Sequence, residues 1–448
     1  MAKAYSEIPL IDVSRLDAAY SRGDLCKVMA DIAVENGPLY RWVASSPEEE
    51  GQMRLSMVGP EANRFVMNTH RQHFSHEIGW SPLINDAFGR GLLTMDDPEH
   101  AVHRKMWNPA FAAAYMDTYL PVMQHVIEER TATWPSRGEV DIYAESRQIT
   151  FDIAAAALAG FDTGEQVDRL RHLFAILLHS FDDGQEVDFA EMFARFEAAR
   201  NELVMMLIRM IYERRNAPTE ERPRDVLGLI VHARDEKGNA LTDEQVLGHL
   251  AILLLAGHET TTTLATWALY LLSTMPDQHA RLLEELEAAR DGSSGPLSID
   301  KLRSLRALDN FLRETGRLYP PVINVPRGVL EDVEFAGYTI PAGSQVRVCL
   351  AGCHRLPNVF PDPDRFDPDR FAPPREEDKQ YPYSLVTFGG GPRVCIGQHF
   401  ANIEVKALIA HVLPRYNLTP VEGQRPVHAG FLNAFIPGGI KMHVITDY

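Results

Sequence analysis

Apolar residues recur with helical spacing along the chain between about residues 96 and 319. The longest such segment begins at Thr242 and ends before Pro276, in the sequence TDEQVLGHLAILLLAGHETTTTLATWALYLLSTM. Thr242 and Gln245 have the spacing of a capping box and Pro276 marks a stop, so the segment predicts a helix of about 30 residues. Because its first half is apolar nearly all round, we expect this helix to run buried through the middle of the protein.

Two other patterns complete the predicted architecture. Asp97 suits a helix N-cap and is followed by Pro98 in the first turn, which indicates a second helix start. Late in the chain, residues 333–350 alternate apolar and polar positions between turn residues, which predicts short strands. We therefore predict a mainly α fold with a small β portion late in the chain. No stretch reads as an interdomain linker, so residues 1–448 are expected to form a single domain.

The composition narrows the class of protein. Apolar residues make up 45% of the chain and charged residues 24%, as in ordinary globular proteins. A formal net charge of −18 argues against nucleic-acid or anionic-membrane binding over the whole surface. We find no signal peptide and no transmembrane anchor in the sequence. Four scattered cysteines cannot form a disulfide scaffold, and Cys349 and Cys353 lack a second pair for zinc, so a reducing cytoplasm is favoured.

One cysteine, Cys395, lies in an unusual setting. The sequence FGGGPRVCIG, residues 388–397, places glycines before it and a helix-like pattern after it. A small buried apolar thiol is one interpretation. The other is a metal ligand, because glycines let the backbone approach a flat ligand and a following helix would aim its free N–H groups at the sulfur. Arg393 would add a positive charge beside an anionic cofactor edge, and a thiolate held by N–H donors is a good ligand for iron.

Phe388, Gly391, Arg393, Cys395 and Gly397 fit the spacing F-x2-G-x-R-x-C-x-G. This stretch resembles the haem-binding loop of the cytochrome P450 family, the haem-thiolate monooxygenases. The resemblance implies a cytochrome P450 fold with haem b between the long central helix and this loop. It also implies that Cys395 binds the iron, that Phe388 packs against the thiolate, and that Arg393 reaches a haem propionate.

The sequence AGHETT, residues 256–261, places Glu259 beside Thr260 in the long helix. Residue pattern alone allows a buried threonine bonded to a helix carbonyl and a glutamate on a solvated face. The stretch looks like the oxygen-activation motif of the P450 family. By that resemblance Thr260 helps to deliver protons during dioxygen activation, Glu259 assists the proton relay, and Ala256 borders the substrate space.

Three further basic residues match propionate-binding positions of the family. His100 and Arg104 have i, i+4 spacing and therefore share one helix face, which by pattern alone is an ordinary solvated face. The segment EHAVHR is similar to the propionate-binding helix of the family, and Arg327 in VPRG matches a further propionate contact. The resemblance implies that these three side chains donate hydrogen bonds to haem.

Glu314 and Arg317 in ETGR are three residues apart on a predicted helix. Pattern alone predicts an exposed ion pair worth a few tenths of a kcal/mol. The segment is similar to the E-x-x-R pair of the family, which an arginine from a later loop joins. The resemblance therefore implies a structural cluster of Glu314, Arg317 and Arg370, with Arg370 supplied by DPDRF.

The resemblance implies that one oxygen atom from O2 is inserted into a C–H bond or added across a C=C bond. About 50 residues follow Cys395, too few for a flavin or iron–sulfur domain, so electrons are expected from a separate ferredoxin or flavodoxin with its reductase. A peroxide-using or dioxygen-independent haem-thiolate enzyme and a non-catalytic haem-binding sensor remain alternatives.

A lipophilic substrate such as a fatty acid, terpenoid, steroid or retinoid is expected, and the protein is expected to be a monomer that binds no nucleic acid. Apolar side chains from several segments are candidates for lining the pocket, although the same residues would also suit the core. They are Leu92, Leu93, Ala256, Val322, Val325 and Phe435.

Overall fold

The computed structural model describes residues 2–43, 53–161, 164–179, 189–218, 225–293 and 295–446, and these are mostly helical. The α-helices, in chain order, are α1 (Ser14–Arg22), α2 (Leu25–Asn36), α3 (Pro60–Arg64), α4 (His76–Phe88), α5 (Glu99–Trp107), α6 (Met116–Thr131), α7 (Trp134–Arg137), α8 (Ile142–Ala159), α9 (Glu165–His179), α10 (Phe189–Asn216), α11 (Val226–Ile230), α12 (Asp243–Thr274), α13 (Pro276–Arg290), α14 (Ile299–Ser304), α15 (Arg306–Leu318), α16 (Leu350–Cys353), α17 (Glu377–Gln380) and α18 (Gln398–Val412).

The strands of the described residues form three small sheets. They are β1 (Leu39–Val43), β2 (Met53–Met57), β3 (Phe74–Ser75), β4 (Glu139–Asp141), β5 (Asn324–Val329), β6 (Val333–Phe335), β7 (Tyr338–Ile340), β8 (Gln345–Cys349), β9 (Tyr416–Pro420) and β10 (Lys441–Thr446). The largest sheet has the order β1-β2-β8-β5-β3, in which β2 pairs with β8 in parallel and the other neighbours are antiparallel. A second sheet has the order β4-β10-β9, and β6 and β7 form a hairpin.

The prediction of a small β portion is confirmed, but its restriction to the late part of the chain is wrong. Strands β1, β2 and β3 come from the first 75 residues, and β1 and β2 form the edge of the largest sheet. These strands have five residues or fewer, and periodicity alone cannot separate such short segments from helix or loop. Their place in the sheet depends on long-range pairings, of Leu55 in β2 with Val346 in β8 and of Phe74 in β3 with Val329 in β5.

The predicted long helix is present as α12, with 32 residues. Thr242 caps it through the Gln245 N–H, and the Gln245 side chain accepts from the Thr242 N–H, so the capping box is formed. Helix α12 packs against α8, α10, α15 and α18, which makes it central to the fold. Its second half is the more deeply buried, whereas the apolar first half includes half-buried Leu253 and Leu255 and the exposed Ala256.

The helix predicted to start at Asp97 begins slightly later. Helix α5 starts at Glu99 with Pro98 at its N-cap position. Asp97 instead lies beside His100, with 3.5 Å between Asp97 Oδ1 and His100 Nδ1. Its carboxylate is therefore used by a side chain of the helix rather than by the helix N–H groups.

No helix within the described ranges is long and apolar enough to cross a membrane. A single large cluster of buried apolar residues joins α6, α8, α9, α10, α12 and α18, and two smaller clusters lie around the five-stranded sheet and the N-terminal helices. Ile396, in the loop before α18, packs against the large helical cluster, whereas Val325 and Val329 of β5 belong to the cluster around the five-stranded sheet.

Candidate active site

The Cys395 loop is a tight turn that ends at the N-terminus of α18. The Cys395 N–H donates to the Phe388 carbonyl oxygen at 2.8 Å, which closes the turn. Gly391 has a φ of +66°, and a Cβ there would lie 2.2 Å from the Met67 carbonyl oxygen. Only glycine fits at this position, because both the backbone conformation and the close approach of the Met67 carbonyl exclude a side chain.

Cys395 differs from the other cysteines in its exposure. Cys26, Cys349 and Cys353 are buried, whereas Cys395 is exposed. Burial nevertheless raises the pKa of the Cys395 thiol, while a hydrogen bond from the Gly397 N–H and the positive charge of Arg104 lower it. A sulfur that is accessible yet surrounded by protein faces a concave surface, and the N–H donor and the cation both favour the thiolate.

A group of cationic side chains lies near this loop. Arg327 on β5 is 6% exposed, and its guanidinium donates to the Pro326 carbonyl oxygen at 2.6 Å. Burial and the neighbouring charge of Arg393 lower the pKa of Arg327 to about 9. Arg393 donates to the Met95 carbonyl oxygen at 2.7 Å and lies 3.8 Å from Asp97 Oδ1. Among the described residues, no carboxylate lies within ion-pair distance of Arg327.

His100 and His76 extend this group. His100 is 4% exposed, and burial together with the charge of Arg393 lowers its pKa to about 4. His76, at the start of α4, has a pKa well below its ordinary value because of burial and the charges of Arg327 and Arg393. The Nδ1 atom of His76 is buried without a hydrogen-bond partner in the described part of the chain.

These observations test whether the residues fit the predicted haem b. A buried guanidinium without a carboxylate and a buried imidazole nitrogen without a partner are costly unless an acceptor satisfies them. Two propionates would supply negatively charged oxygens to Arg327, Arg393, His100 and His76. The accessible Cys395 sulfur in its electropositive loop would supply the iron ligand. The donor set therefore fits haem b.

Arg104 makes a different set of contacts from the one implied by the resemblance. Its NH2 donates to the Val394 carbonyl oxygen at 2.9 Å, and its Nε donates to Asn108 Oδ1 at 2.8 Å. Burial lowers the pKa of Arg104, and the Cys395 thiolate opposes that effect. Arg104 thus supports the Cys395 loop directly, and its role toward a propionate stays a prediction.

The middle of α12 contains an accessible strip. Thr260 Oγ1 donates to the Ala256 carbonyl oxygen at 2.7 Å, one helical turn earlier. Ala256 is exposed and Thr260 is half-buried, although most of the following turns of α12 are fully buried. Such a strip within a central helix indicates a cavity on this side of α12.

Glu259 points toward α8 and forms a charged network there. Arg147 Nε lies 3.3 Å from Glu259 Oε1, and Arg147 also donates to Tyr143 Oη at 2.7 Å. His258 Nε2 lies 3.1 Å from Glu259 Oε1. Glu259 is therefore held by partners, rather than on the free solvated face that residue pattern alone allowed.

The candidate pocket residues reach α12 from different segments. Leu92 donates its N–H to His249 Nδ1 on α12 at 3.1 Å, and His249 Nε2 lies 2.8 Å from His103 Nδ1. The segment around Arg90 passes so close to α12 that a Cβ on Gly248 would lie 2.1 Å from the Arg90 carbonyl oxygen.

The second set of pocket candidates comes from two paired segments. Val322 pairs with Asn433, which brings the start of β5 beside the chain near Phe435. Thr263 on α12 donates to the Ala434 carbonyl oxygen at 3.2 Å. Leu92, Leu93, Val322, Val325 and Phe435 are all half-buried, as expected of side chains at the edge of a cavity. Their role in substrate binding stays a prediction.

Two other apolar residues, Ile323 and Phe174, fill the core rather than line a pocket. Ile323 is fully buried and Phe174 is 1% exposed. Phe174 packs against Phe88, with 5.5 Å between ring centroids, and against Phe151 at 5.6 Å. These side chains therefore belong to the core.

Glu314, Arg317 and Arg370 meet in the interior. Arg317 Nε and NH2 donate to the two Glu314 carboxylate oxygens at 2.7 and 2.8 Å, and Arg370 Nε donates to Oε1 at 3.0 Å. The side chains of Glu314 and Arg317 have no exposed surface. Arg370 also pairs with Glu377, so the cluster contains two carboxylates and two guanidinium groups.

Several residues of the site have no signal in the sequence. His76, Arg147 and His249 were not predicted, because each reaches its partners across a long sequence separation. Gly248, directly before His249, is a local signal for this region. A glycine destabilises the interior of a helix, so its presence in α12 indicates that another segment packs too close for a side chain.

The cytochrome P450 family model matches residues 16–437. The chain belongs to the cytochrome P450 family. Sterol 14α-demethylase of Mycolicibacterium vanbaalenii is 31% identical to this P450 over 369 residues, 81% of each chain. Cytochrome P450 136 of Mycobacterium tuberculosis is 31% identical over 373 residues, 81% of this chain and 74% of that protein.

Solved structures agree with this P450 over its length. Retinoic-acid-bound cyanobacterial CYP120A1 matches with a TM-score of 0.84 and 25% identity over 100% of both chains. The P450DA heme domain has a TM-score of 0.86 at 22% identity, which supports the fold alone. The predictions of a P450 fold, haem b and a P450 monooxygenase are thereby confirmed.

When held by a thiolate, haem b supplies the activation of O2 that ends in transfer of one oxygen atom to a substrate. The chain supplies the surroundings of that chemistry. The Gly397 N–H and Arg104 stabilise negative charge on Cys395, and the cationic group around Arg327 fits the propionates. The Thr260 hydroxyl lies on the accessible strip of α12, within one helical turn of Ala256.

Proposed function

We propose that this P450 hydroxylates or epoxidises a lipophilic substrate in a pocket bordered by the accessible strip of α12. The observation that carries the proposal is the exposure of Ala256 and the partial exposure of Thr260 in the middle of α12, directly before a run of fully buried residues from Thr261 to Leu269. Leu92, Val322 and Phe435 are half-buried apolar side chains on segments that reach the same helix. Apolar lining with few polar groups suits a lipophilic ligand.

The substrate classes are a steroid, a retinoid, a fatty acid or a terpenoid. The similarity to a sterol 14α-demethylase and to a retinoic-acid-bound P450 supports testing sterols and retinoids first. In this proposal Cys395 binds the iron, while His100, Arg104, Arg327 and Arg393 hold the propionates. Thr260 and Glu259 deliver protons, and residues 1–448 act as a single haem domain.

Electrons come, in this proposal, from a separate ferredoxin or flavodoxin with its reductase, and the enzyme works as a cytoplasmic monomer. Docking on the Cys395 side is supported by Arg71, which is exposed and close enough to influence Arg393 electrostatically. We expect Arg71→Glu to slow reduction by a ferredoxin. Arg209→Glu is the control, because Arg209 has an 81% exposed side chain on α10. Equal reduction rates for the two variants would count against this docking face.

The first test is an optical titration of the oxidised protein with sterols, retinoids, fatty acids and terpenoids. We expect a saturable low-to-high-spin shift with at least one class, followed by product formation with O2 and a surrogate electron donor. Thr260→Ala should keep the spectrum but lower product formed per electron, because its hydroxyl is lost from the pocket. Equal product with hydrogen peroxide alone, unchanged in Thr260→Ala, would instead favour the peroxide-using alternative.

A further inference from the structure

His258 lies at the centre of α12 and has no role in the proposals above. Its side chain is 3% exposed and packs edge-on against Phe151, with 4.9 Å between ring centroids. Its Nδ1 lies 2.7 Å from the Leu254 carbonyl oxygen. A carbonyl oxygen only accepts hydrogen bonds, so Nδ1 must carry a hydrogen.

The other ring nitrogen of His258 faces a carboxylate. His258 Nε2 lies 3.1 Å from Glu259 Oε1. A neutral imidazole with its hydrogen on Nδ1 presents a lone pair at Nε2, and an ionised carboxylate presents lone pairs as well. Two acceptors repel at this distance, and inside a protein that repulsion is weakly screened. The contact is favourable only when one proton lies between Nε2 and Oε1.

Arg147 fixes the carboxylate from α8. Its Nε lies 3.3 Å from Glu259 Oε1, and its NH2 donates to Oε2 at 3.4 Å. Tyr143 accepts from Arg147, which holds the guanidinium in place. The Glu259 side chain is 17% exposed, so solvent reaches it, whereas His258 is almost fully enclosed.

The next residue along α12 is Thr260, whose hydroxyl lies on the accessible strip. Glu259 is therefore next in sequence to both His258 and Thr260, and its carboxylate is the member of the His258–Glu259 pair that solvent reaches. Helix geometry aims adjacent side chains about 100° apart, so the Glu259 carboxylate must swing to approach the Thr260 side.

We propose that His258 and Glu259 hold one shared proton and that His258 is a positioning residue that loads Glu259 for proton delivery. In the step, the N–H bond at Nε2 breaks and an O–H bond forms at Oε1. His258 becomes neutral and keeps its Nδ1 hydrogen, and solvent returns a proton through the carboxylate. The inference rests on the proposed role of Glu259 and Thr260 in proton delivery.

The first test reads the proton without turnover. The carbon-monoxide complex of the reduced holoenzyme is diamagnetic, so 15N NMR of labelled histidine resolves ring protonation. We expect one histidine, absent from the spectrum of His258→Gln, to carry hydrogen on Nδ1 and to share a proton at Nε2. In Glu259→Gln the same ring should lose its Nε2 proton, because the amide N–H then donates to Nε2.

The second test is turnover of His258→Gln with the best substrate of the optical titration. The glutamine amide donates a hydrogen bond to Glu259 but cannot release the proton. We expect product per electron to fall several-fold, by less than the roughly 100-fold or more that loss of a general acid costs. The spin shift and substrate affinity should not change. The control is His411→Gln, the same substitution in a half-buried histidine of α18.

If His258 Nε2 carried no proton in the wild type at neutral pH, the proposal of a shared proton would be wrong, whatever product the enzyme forms. A shared proton with unchanged product per electron in His258→Gln would overturn the loading role. Failure of the proposed function would give a different result. The wild type, His411→Gln and His258→Gln would then all lack product, while the NMR spectra would be unaffected.

Discussion

Two charged clusters of this P450 lie largely in the interior, but the partners that neutralise their charges differ. The Glu314–Arg317–Arg370 cluster pairs its guanidinium groups with Glu314 and Glu377 inside the fold. The cluster around Arg327 combines Arg327, Arg393 and His100, and its arginines donate to carbonyl oxygens at 2.6 and 2.7 Å.

The presence or absence of carboxylate partners indicates a different role for each cluster. A buried ion cluster that is satisfied by its own partners holds elements together, and here it ties α15 to the loop around Arg370. A buried cationic cluster that lacks a carboxylate for Arg327 in the described residues needs an anionic ligand to offset its desolvation. The first cluster supports the fold, and the second fits the propionates of haem b.

Breaking the first cluster should have the largest effect. Glu314→Gln removes the negative charge from between two buried guanidinium groups, which costs about 3–5 kcal/mol of unfolding free energy. We expect a strongly lowered Tm or loss of soluble holoenzyme, measured by thermal and denaturant unfolding.

The matched control is Glu213→Gln, which breaks an exposed i, i+4 pair with Arg209. Exposed pairs of this kind contribute about 0.3–0.5 kcal/mol, so its Tm should barely change. Similar unfolding free energies for Glu314→Gln and Glu213→Gln would refute the structural role of the first cluster.

Breaking the second cluster should loosen haem with a smaller effect on the fold. Arg327→Met removes a buried cation, so the chain loses a desolvation cost together with a hydrogen bond to a charged group. Such bonds contribute about 1.5–3 kcal/mol, which corresponds to roughly 10- to 100-fold faster haem transfer to an excess of an apo-acceptor protein.

Arg290→Met is the control for the loss of an arginine that is half-buried and donates to a carbonyl oxygen. Arg290 donates to the Ala410 carbonyl oxygen at 2.9 Å, and burial lowers its pKa, but it lies at the end of α13. Haem transfer from this variant should match the wild type. Equal transfer rates for Arg327→Met and Arg290→Met would mean that Arg327 does not hold haem.

The smallest expected effect concerns pH. Burial and the charge of Arg393 lower the pKa of His100 from 6.5 to about 4. Between these values the unfolded chain binds more protons than the folded protein, so the unfolding free energy falls as pH drops from about 6.5 to about 4. His100→Asn should make this fall shallower in denaturant unfolding of the haem-free protein at several pH values, since a propionate beside His100 would oppose the lowering of its pKa.

His100→Asn should remove only part of the pH dependence of the unfolding free energy, because burial also lowers the pKa values of His411 and His428 to about 4. His125→Asn is the control, since the His125 side chain is 75% exposed. The same pH dependence for His100→Asn and the wild type would show that His100 stays neutral in the unfolded chain or charged in the folded one.

Much of the fold and the site was predictable from local signals. The capping box of Thr242 and Gln245 and the stop at Pro276 defined α12 within about two residues. The loop around Cys395 was recognisable because its glycines are required locally, as the +66° φ of Gly391 illustrates. The early strands were missed, because five residues are too few for periodicity and their pairing is long-range.

Other features depended on contacts between distant segments. The i, i+3 spacing of Glu314 and Arg317 alone favoured an exposed pair, and only packing decided that both lie in the interior. Arg104 has the spacing expected of a propionate ligand, yet it donates to the Val394 carbonyl oxygen 290 residues away. Spacing along a helix shows which residues share a face, but not what lies against that face.

The sequence by itself determined the helical class, the long central helix, and the loop that presents Cys395, because capping, glycine conformation and motif spacing act within a few residues. The tertiary structure decided which buried charges are satisfied by carboxylates inside the protein and which, like that of Arg327, have no carboxylate partner among the described residues. It also brought His258, Glu259 and Arg147 together, although Arg147 is 112 residues from Glu259. Burial and electrostatics depend on what packs against each side chain, and that is set only when distant segments meet.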